Sequence, residues 1–185
     1  MTGETTAMAI VDEPATEADR ITRLFVAHRR RLYGLARRLS SSPEDACDLV
    51  QETFLRAARA PGAIPGELRS EEAWLVRVLV NLCRDRWRQR QDRLRLDRLS
   101  GPAPQHTRSD PESPLMARAV VWRALETLSP RRRAVVVLRE IEGEPVQEIA
   151  RLLGVTAVTV RWHLSRGRQE LRHLLRSEEG ERRKP

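Results

Sequence analysis

The chain has 185 residues, with 34 Lys or Arg against 26 Asp or Glu and a formal net charge of +8. That length suits one ordinary domain or two small ones, and the positive excess points to a polyanionic partner. Aromatics make up 4 % and glycine numbers only 9, while Leu, Ala, Val and Arg dominate, which favours helices over sheets.

Residues 1–16 carry no apolar periodicity and read as a flexible tail. From Ile21 the apolar positions Leu24, Phe25, Leu32, Leu35, Ala36 and Leu39 recur at helical spacing up to the break at Ser40-Ser41-Ser42-Pro43. Ser42 is placed to cap a second helix, Pro43 fits its first position, and Glu44 and Asp45 suit its positive dipole end. This helix turns Ala46, Leu49, Val50, Thr53, Phe54 and Ala57 inward and ends at Pro61-Gly62. A third helix starts near Ser70, with Trp74, Leu75, Val78, Leu79 and Leu82 apolar, and runs into Arg84-Asp-Arg-Trp-Arg-Gln-Arg90. Gly101 to Pro114 is proline-rich and aperiodic, the composition of a linker.

Beyond the linker, Ala119, Val120, Trp122, Ala124, Leu125 and Leu128 mark another helix. Ser129-Pro130 predicts a cap and first turn for a helix over Arg131–Ile141. Val146, Ile149, Ala150 and Leu153 then form one apolar stripe, with Gln147, Glu148 and Arg151 expected to face out. Gly154 suits a left-handed helix end and Thr156 suits the next cap. Val160, Leu164, Leu171 and Leu174 form a second stripe, interrupted by the small Gly167. Arg161, Ser165, Arg168 and Arg172 share another side. Small residue, turn glycine, cap and basic face together are the pattern of a helix-turn-helix that enters the DNA major groove. The expectation is an all-α chain: a tail (1–16), a helical domain (17–92), a flexible linker (93–114), a helix-turn-helix domain (115–177) and a basic tail (178–185).

Cys47 and Cys83 stand far apart in sequence, which suits a reducing compartment and not a disulfide framework. His28, His106, His163 and His173 share no ligand spacing with them, so neither a metal nor a cofactor is expected. The polar, acidic N-terminal segment lacks a signal-peptide layout, and no apolar run approaches the roughly twenty residues of a membrane span. A cytoplasmic protein with no membrane insertion is expected. No catalytic constellation stands out, so the chain is not expected to be an enzyme.

Three segments resemble the small bacterial sigma factors of the extracytoplasmic-function (ECF) group. Asp45-Ala-Cys-Asp-Leu-Val-Gln-Glu-Thr-Phe-Leu-Arg-Ala57 is similar to the family segment that grips the polymerase clamp helices. Ala73-Trp-Leu-Val-Arg-Val-Leu-Val-Asn-Leu-Cys-Arg-Asp-Arg-Trp87 is similar to the helix that approaches the −10 element. Leu125-Glu-Thr-Leu-Ser-Pro to Glu140, with the helix-turn-helix behind it, is similar to the domain that reads the −35 element. The resemblance implies a subunit that directs promoter recognition and transcription initiation by core RNA polymerase.

It assigns core binding to Asp45, Asp48, Gln51, Glu52 and Arg56, which form the polar face of the second helix. It assigns −10 contacts to Arg77, Asn81, Arg84, Asp85 and Arg88, with Asn81 and Asp85 at positions that touch an extruded base. Arg86 and Arg90 join Arg84 and Arg88 as expected phosphate contacts. The −35 contacts fall to Thr159, Arg161, Trp162, Ser165, Arg166 and Arg168. Promoter DNA, core polymerase and an anti-sigma factor are the implied partners.

Two departures stand out. The loop Pro61–Glu72 lacks the aromatic and the Gly-Asp-Ser-type sequence common in the family, and Trp162-His163 is unusual in a recognition helix. Trp162 either packs on thymine methyl groups or covers the edge of the turn. The competing readings are a stand-alone helix-turn-helix regulator, which needs a dimerisation element, and a helical adaptor for acidic proteins.

Overall fold

The computed structural model describes residues 17–100 and 114–182, with side chains described over 17–95 and 121–176. The tail 1–16, the proline-rich stretch 101–113 and the last three residues lie outside it. Among the described residues the chain is all-α.

Helix α1 (Glu17–Leu39) opens with Glu17 and Asp19 and closes with Arg37 and Arg38, both in accord with the helix dipole. It buries Leu24, His28, Leu32, Leu35, Ala36 and Leu39. Helix α2 (Pro43–Arg59) starts as its sequence requires: Ser42 is extended, and its Oγ accepts from the Asp45 backbone N–H at 3.1 Å. Thr53, fully buried on this helix, donates its hydroxyl to the Leu49 carbonyl at 2.7 Å, so its burial leaves no polar group unpaired. After a 3₁₀ turn at Pro61–Ala63, α3 (Leu68–Ser100) supplies Leu75, Val76, Leu79 and Val80 to the core. Its helical path continues past residue 92, where the linker was expected to begin.

Helix α4 (Pro114–Thr127) leads to α5 (Pro130–Val136). Two local expectations are corrected here. Ser129 makes no side-chain cap; its carbonyl instead accepts from the Arg133 N–H at 2.9 Å. The helix expected over 131–141 is α-helical only to Val136 and then widens into a π turn, Val137–Ile141, with Glu142 N–H bonded to the Val137 carbonyl.

Helices α6 (Val146–Leu153) and α7 (Ala157–Arg182) form the helix-turn-helix. Gly154 sits at φ 63°, ψ 41°, and Val155 N–H reaches back to the Ala150 carbonyl at 3.0 Å, the Schellman closure. Thr156 Oγ1 then accepts from Thr159 N–H at 3.2 Å and caps α7. Gly167 is required by packing: a Cβ there would lie 2.7 Å from Val136 Cγ2.

The two halves pack on each other, α6 and α5 against α3. Arg31 pairs with Glu144 at 2.8 Å, Arg38 with Glu142 at 2.7 Å, and Arg133 donates to the Leu39 carbonyl at 2.6 Å. Glu148 and Arg151, expected to face solvent, pair with each other and turn toward α3. There Arg151 donates to the Arg69 carbonyl and approaches Glu72 at 3.9 Å. Beneath these charge pairs the buried apolar side chains of the two halves join across the seam in one cluster, Val76, Leu79 and Val80 of α3 with Val135, Leu152 and Leu153, and two partly open hollows of about 600 and 180 Å³ flank it.

Candidate nucleic-acid interface

Helix α7 anchors itself through Val160, Leu164 and Gly167, which are buried against α5 and α6. At about 100° per residue, Val158, Trp162, Ser165 and Gln169 point directly away from that stripe. All four are exposed, as are Arg161, Arg166 and Arg168; Thr159 is half-buried. A second face gathers Arg161, Ser165, Arg168 and Arg172 around a shallow hollow shared with Arg139. Arg168 is already engaged there by Glu140 at 2.6 Å. The predicted −35 residues therefore sort by direction. Trp162, Ser165 and Arg166 project outward, Arg161 and Arg168 flank them, and Thr159 stays with the cap.

Trp162 is held from below. Arg132 lies over its ring at 5.6 Å, and Glu170 holds Arg132 through a 2.5 Å contact. The neighbouring His163 ring meets the indole edge-on at 4.9 Å and lines the smaller hollow of the seam. Its burial first, and the charges of Arg132 and Arg131 second, lower its pKa, so the imidazole is neutral at pH 7.

Along α3 the predicted −10 residues are split. Arg77 and Asn81 are half-buried in the 180 Å³ cavity beside Arg131, Gly154, Val155 and His163. Arg77 runs so close under the turn that a Cβ at Gly154 would lie 2.8 Å from its Cδ. Arg84 and Asp85 approach each other at 3.5 Å and remain partly accessible, while Arg88 is exposed. Arg86 and Arg90, expected on phosphates, instead tie α3 to the start of α2: Arg86 reaches the Asp45 carbonyl at 3.4 Å, and Arg90 reaches Ser41 Oγ at 3.1 Å.

On α2, Asp48, Gln51 and Arg56 are exposed. Glu52 is half-buried between Arg56 at 3.3 Å and Arg59 at 3.8 Å. Asp45 is turned toward Arg86 and Arg90, each at 3.9 Å, away from the centre of that face. Beside Gln51 runs an apolar groove of about 710 Å³ between α1 and α2, lined by Ile21, Phe25, Val50, Phe54 and Leu55. Phe25 stacks edge-on against Phe54 at 5.0 Å yet stays 41 % exposed, so it borders the groove instead of filling the core.

Some residues that shape these surfaces carry no local sequence signal. Arg20 clasps the unusual Pro61–Glu72 loop by donating to the carbonyls of Pro61, Ile64 and Pro65 at 3.3, 2.7 and 2.9 Å. Arg133, 6 % exposed, ties Leu39 to Glu126 through their carbonyls. Both read in sequence as ordinary surface arginines. Among the described residues no group of His, Cys, Asp and Glu is gathered to hold a metal ion, and no helix is long and apolar enough to cross a membrane.

Residues 24–93 match the family described as Sigma-70 region 2, and residues 118–171 match Sigma-70, region 4. The chain is 38 % identical over 180 residues to the ECF RNA polymerase sigma factor SigE of Mycolicibacterium smegmatis, covering 94 % of this chain and 65 % of SigE. It is 34 % identical to the ECF RNA polymerase sigma factor SigM of Mycobacterium tuberculosis, covering 82 % of this chain and 75 % of SigM. Among solved structures, CnrH in complex with the cytosolic domain of CnrY aligns at TM-score 0.56 and 30 % identity, covering 85 % of this chain and 88 % of CnrH. The sigma factor RpoE bound to the anti-sigma factor NepR from Bartonella quintana shares the fold at TM-score 0.60 and 24 % identity, covering 85 % and 97 %. With both sigma regions matched in order and SigM aligned over three quarters of its length, the chain belongs to the ECF RNA polymerase sigma factors.

Proposed function

We propose that this chain binds core RNA polymerase through α2, reads the −35 element with α7 and melts the −10 element with α3. The observation that carries the reading is the pairing of two separate surfaces on one chain. One is an outward helix-turn-helix face bearing Arg161, Trp162, Ser165 and Arg166. The other is an acidic and amide face, Asp48, Gln51 and Glu52, beside an open apolar groove. A stand-alone regulator has no use for the second surface. The chain performs no bond chemistry itself; the polymerase core supplies it, and the site of action is the cytoplasm. The domain division remains 17–92 and 115–177, with the intervening segment as tether. An anti-sigma factor is proposed as a further partner, since RpoE of Bartonella quintana is seen with one.

Promoter geometry sets a requirement. Positions −35 and −10 lie about 25 base pairs apart, roughly 85 Å of duplex at about 3.4 Å per pair. Here Arg77 of α3 touches the Gly154 turn, and the reading half of α7 extends only some 20 Å beyond it at about 1.5 Å per residue. Both elements cannot be engaged in this arrangement, so the two halves separate on the polymerase.

The test is gel filtration of the chain with purified bacterial core polymerase at physiological salt, where a +8 protein does not adhere merely by charge. Stoichiometric co-elution is expected, and it is lost in the Asp48→Arg/Glu52→Arg variant. Failure to co-elute, with tight duplex binding by the chain alone, would favour the stand-alone regulator.

A further inference from the structure

Val158 and Trp162 are the apolar residues at the centre of the outward face of α7, one helical turn apart, and they are 70 % and 50 % exposed. Neither contributes to the core. Both lie in the N-terminal half of the recognition helix, the half whose side chains reach base edges. Arg161 and Arg166 flank them, and Ser165 continues the same outward line. The indole is also preset: Arg132 stacks against it at 5.6 Å, Glu170 fixes Arg132, and the His163 ring meets it edge-on at 4.9 Å. This decides between the two roles left open by the sequence. A side chain covering the edge of its own turn would be buried against it, whereas this ring is half exposed and braced from behind.

A braced apolar ridge entering a major groove meets polar base edges everywhere except at the 5-methyl group of thymine. We propose that Val158 and Trp162 form a thymine-methyl reader, so that part of the −35 specificity of this chain is apolar contact with one or two thymine 5-methyl groups. Arg132 and Glu170 act as positioning residues for the ring. This rests on the −35 assignment above and specifies the chemistry that α7 recognises.

The experiment isolates the methyl group. Holoenzyme assembled from the full chain and core polymerase selects duplexes from a pool randomised over the −35 region. The preferred duplex is then resynthesised with deoxyuridine at each thymine in turn, which removes the methyl and nothing else. One or two positions are expected to lose about fourfold in affinity each, the worth of one buried methyl. Trp162→Ala weakens binding to the thymine duplex and brings the thymine-to-uracil ratio at its position to one. Trp162→Leu, which keeps an apolar contact, retains part of that ratio, and Val158→Ala abolishes it at the adjacent position. These side chains are exposed, so the variants keep the fold, as unchanged helical circular dichroism would verify. Selection of an element without thymine, a flat response to deoxyuridine, or full methyl discrimination in Trp162→Ala would each overturn the proposal while leaving −35 reading intact. Failure of the holoenzyme to select any sequence would overturn both.

Discussion

Reversing Glu142 and Glu144 to arginine should open the seam between the two halves. Their carboxylates meet Arg38 and Arg31 at 2.7 and 2.8 Å, and no other ion pair of either is seen among the described residues. The glutamates are 14 % and 21 % exposed and the arginines 34 % and 40 %, so each pair is partly screened and is worth about 0.2–1 kcal/mol. Reversal removes both attractions and adds two like-charge contacts of similar size. The shift toward the separated state is therefore about 1–3 kcal/mol, roughly five- to a hundredfold in the equilibrium. A dye on the exposed Cys47 and a second at Gln169→Cys report the separation by energy transfer. Wild-type chain should show high transfer at low salt and a decline as salt shortens the screening length from about 10 Å at 0.1 M to about 3 Å at 1 M. The Glu142→Arg/Glu144→Arg chain should show low transfer throughout. Equal transfer in both proteins, insensitive to salt, would refute the idea that charge pairs hold the seam. It would assign the cohesion to Val80, Val135, Leu153 and Val155 around the smaller cavity.

Two glycines predict opposite outcomes for one substitution. Gly167→Ala gains about 1 kcal/mol of helix propensity but forces a Cβ to 2.7 Å from Val136 Cγ2, a buried β-branched side chain with one strongly preferred rotamer. Overpacking of this kind costs about 1–3 kcal/mol, so a lower urea midpoint is expected. Gly34→Ala meets only the Arg38 guanidinium at 3.8 Å and should raise stability by up to about 1 kcal/mol; a loss there would contradict the packing. The cysteines should differ in reactivity. Burial pushes the Cys83 thiol up to about 12, with Arg133 and Arg86 only partly offsetting it, while Cys47 is exposed. At pH 8 iodoacetamide should label Cys47 in the native chain and reach Cys83 only after unfolding, since about one Cys83 thiol in ten thousand is ionised. Comparable labelling of both in native protein would count against the buried placement.

The features legible in the sequence were those whose chemistry is local. Ser42-Pro43 and Gly154-Val-Thr156 specify helix ends by side chains acting within a few residues, and the structure places a cap, a Schellman turn and a second cap there. The outward direction of Trp162, Ser165 and Arg166 follows from helical spacing once Val160 and Leu164 are taken as core. Ser129 misled because its backbone carbonyl, not its hydroxyl, receives the first-turn N–H. The seam was not legible. Arg31 and Glu144 are 113 residues apart, and each looks like an ordinary solvated charge on its own helix. Glu148 and Arg151 satisfy every local rule for a helix surface pair, so only tertiary packing reveals that their face meets α3. Arg20 illustrates the same limit, since three backbone carbonyls of an irregular loop leave no periodic trace.

The seam also bears on why one chain carries both halves. Arg77 and Asn81, assigned to the −10 strand, are half-buried beneath the helix-turn-helix unit, while Val158, Trp162 and Arg166 stay open to solvent. On the proposed roles, closure half-buries Arg77 and Asn81 of the −10 set and leaves Arg88 and the −35 face exposed. Apparent affinity for a ligand falls by the fraction of chains in the competent state, so a closed majority directly weakens −10 engagement by the free protein. A partner that binds only the separated halves reverses this, provided its differential affinity exceeds the cohesion of the seam. That cohesion combines partly screened ion pairs, the Arg133 and Arg151 bonds to backbone carbonyls and the apolar cluster shared by the halves. The α2 face proposed to dock polymerase lies outside the seam, with Asp48, Gln51 and Arg56 exposed. On the proposed roles, an order with polymerase docking first and exposure of the −10 surface second requires the partner to offset the apolar contact between the halves as well as its ion pairs.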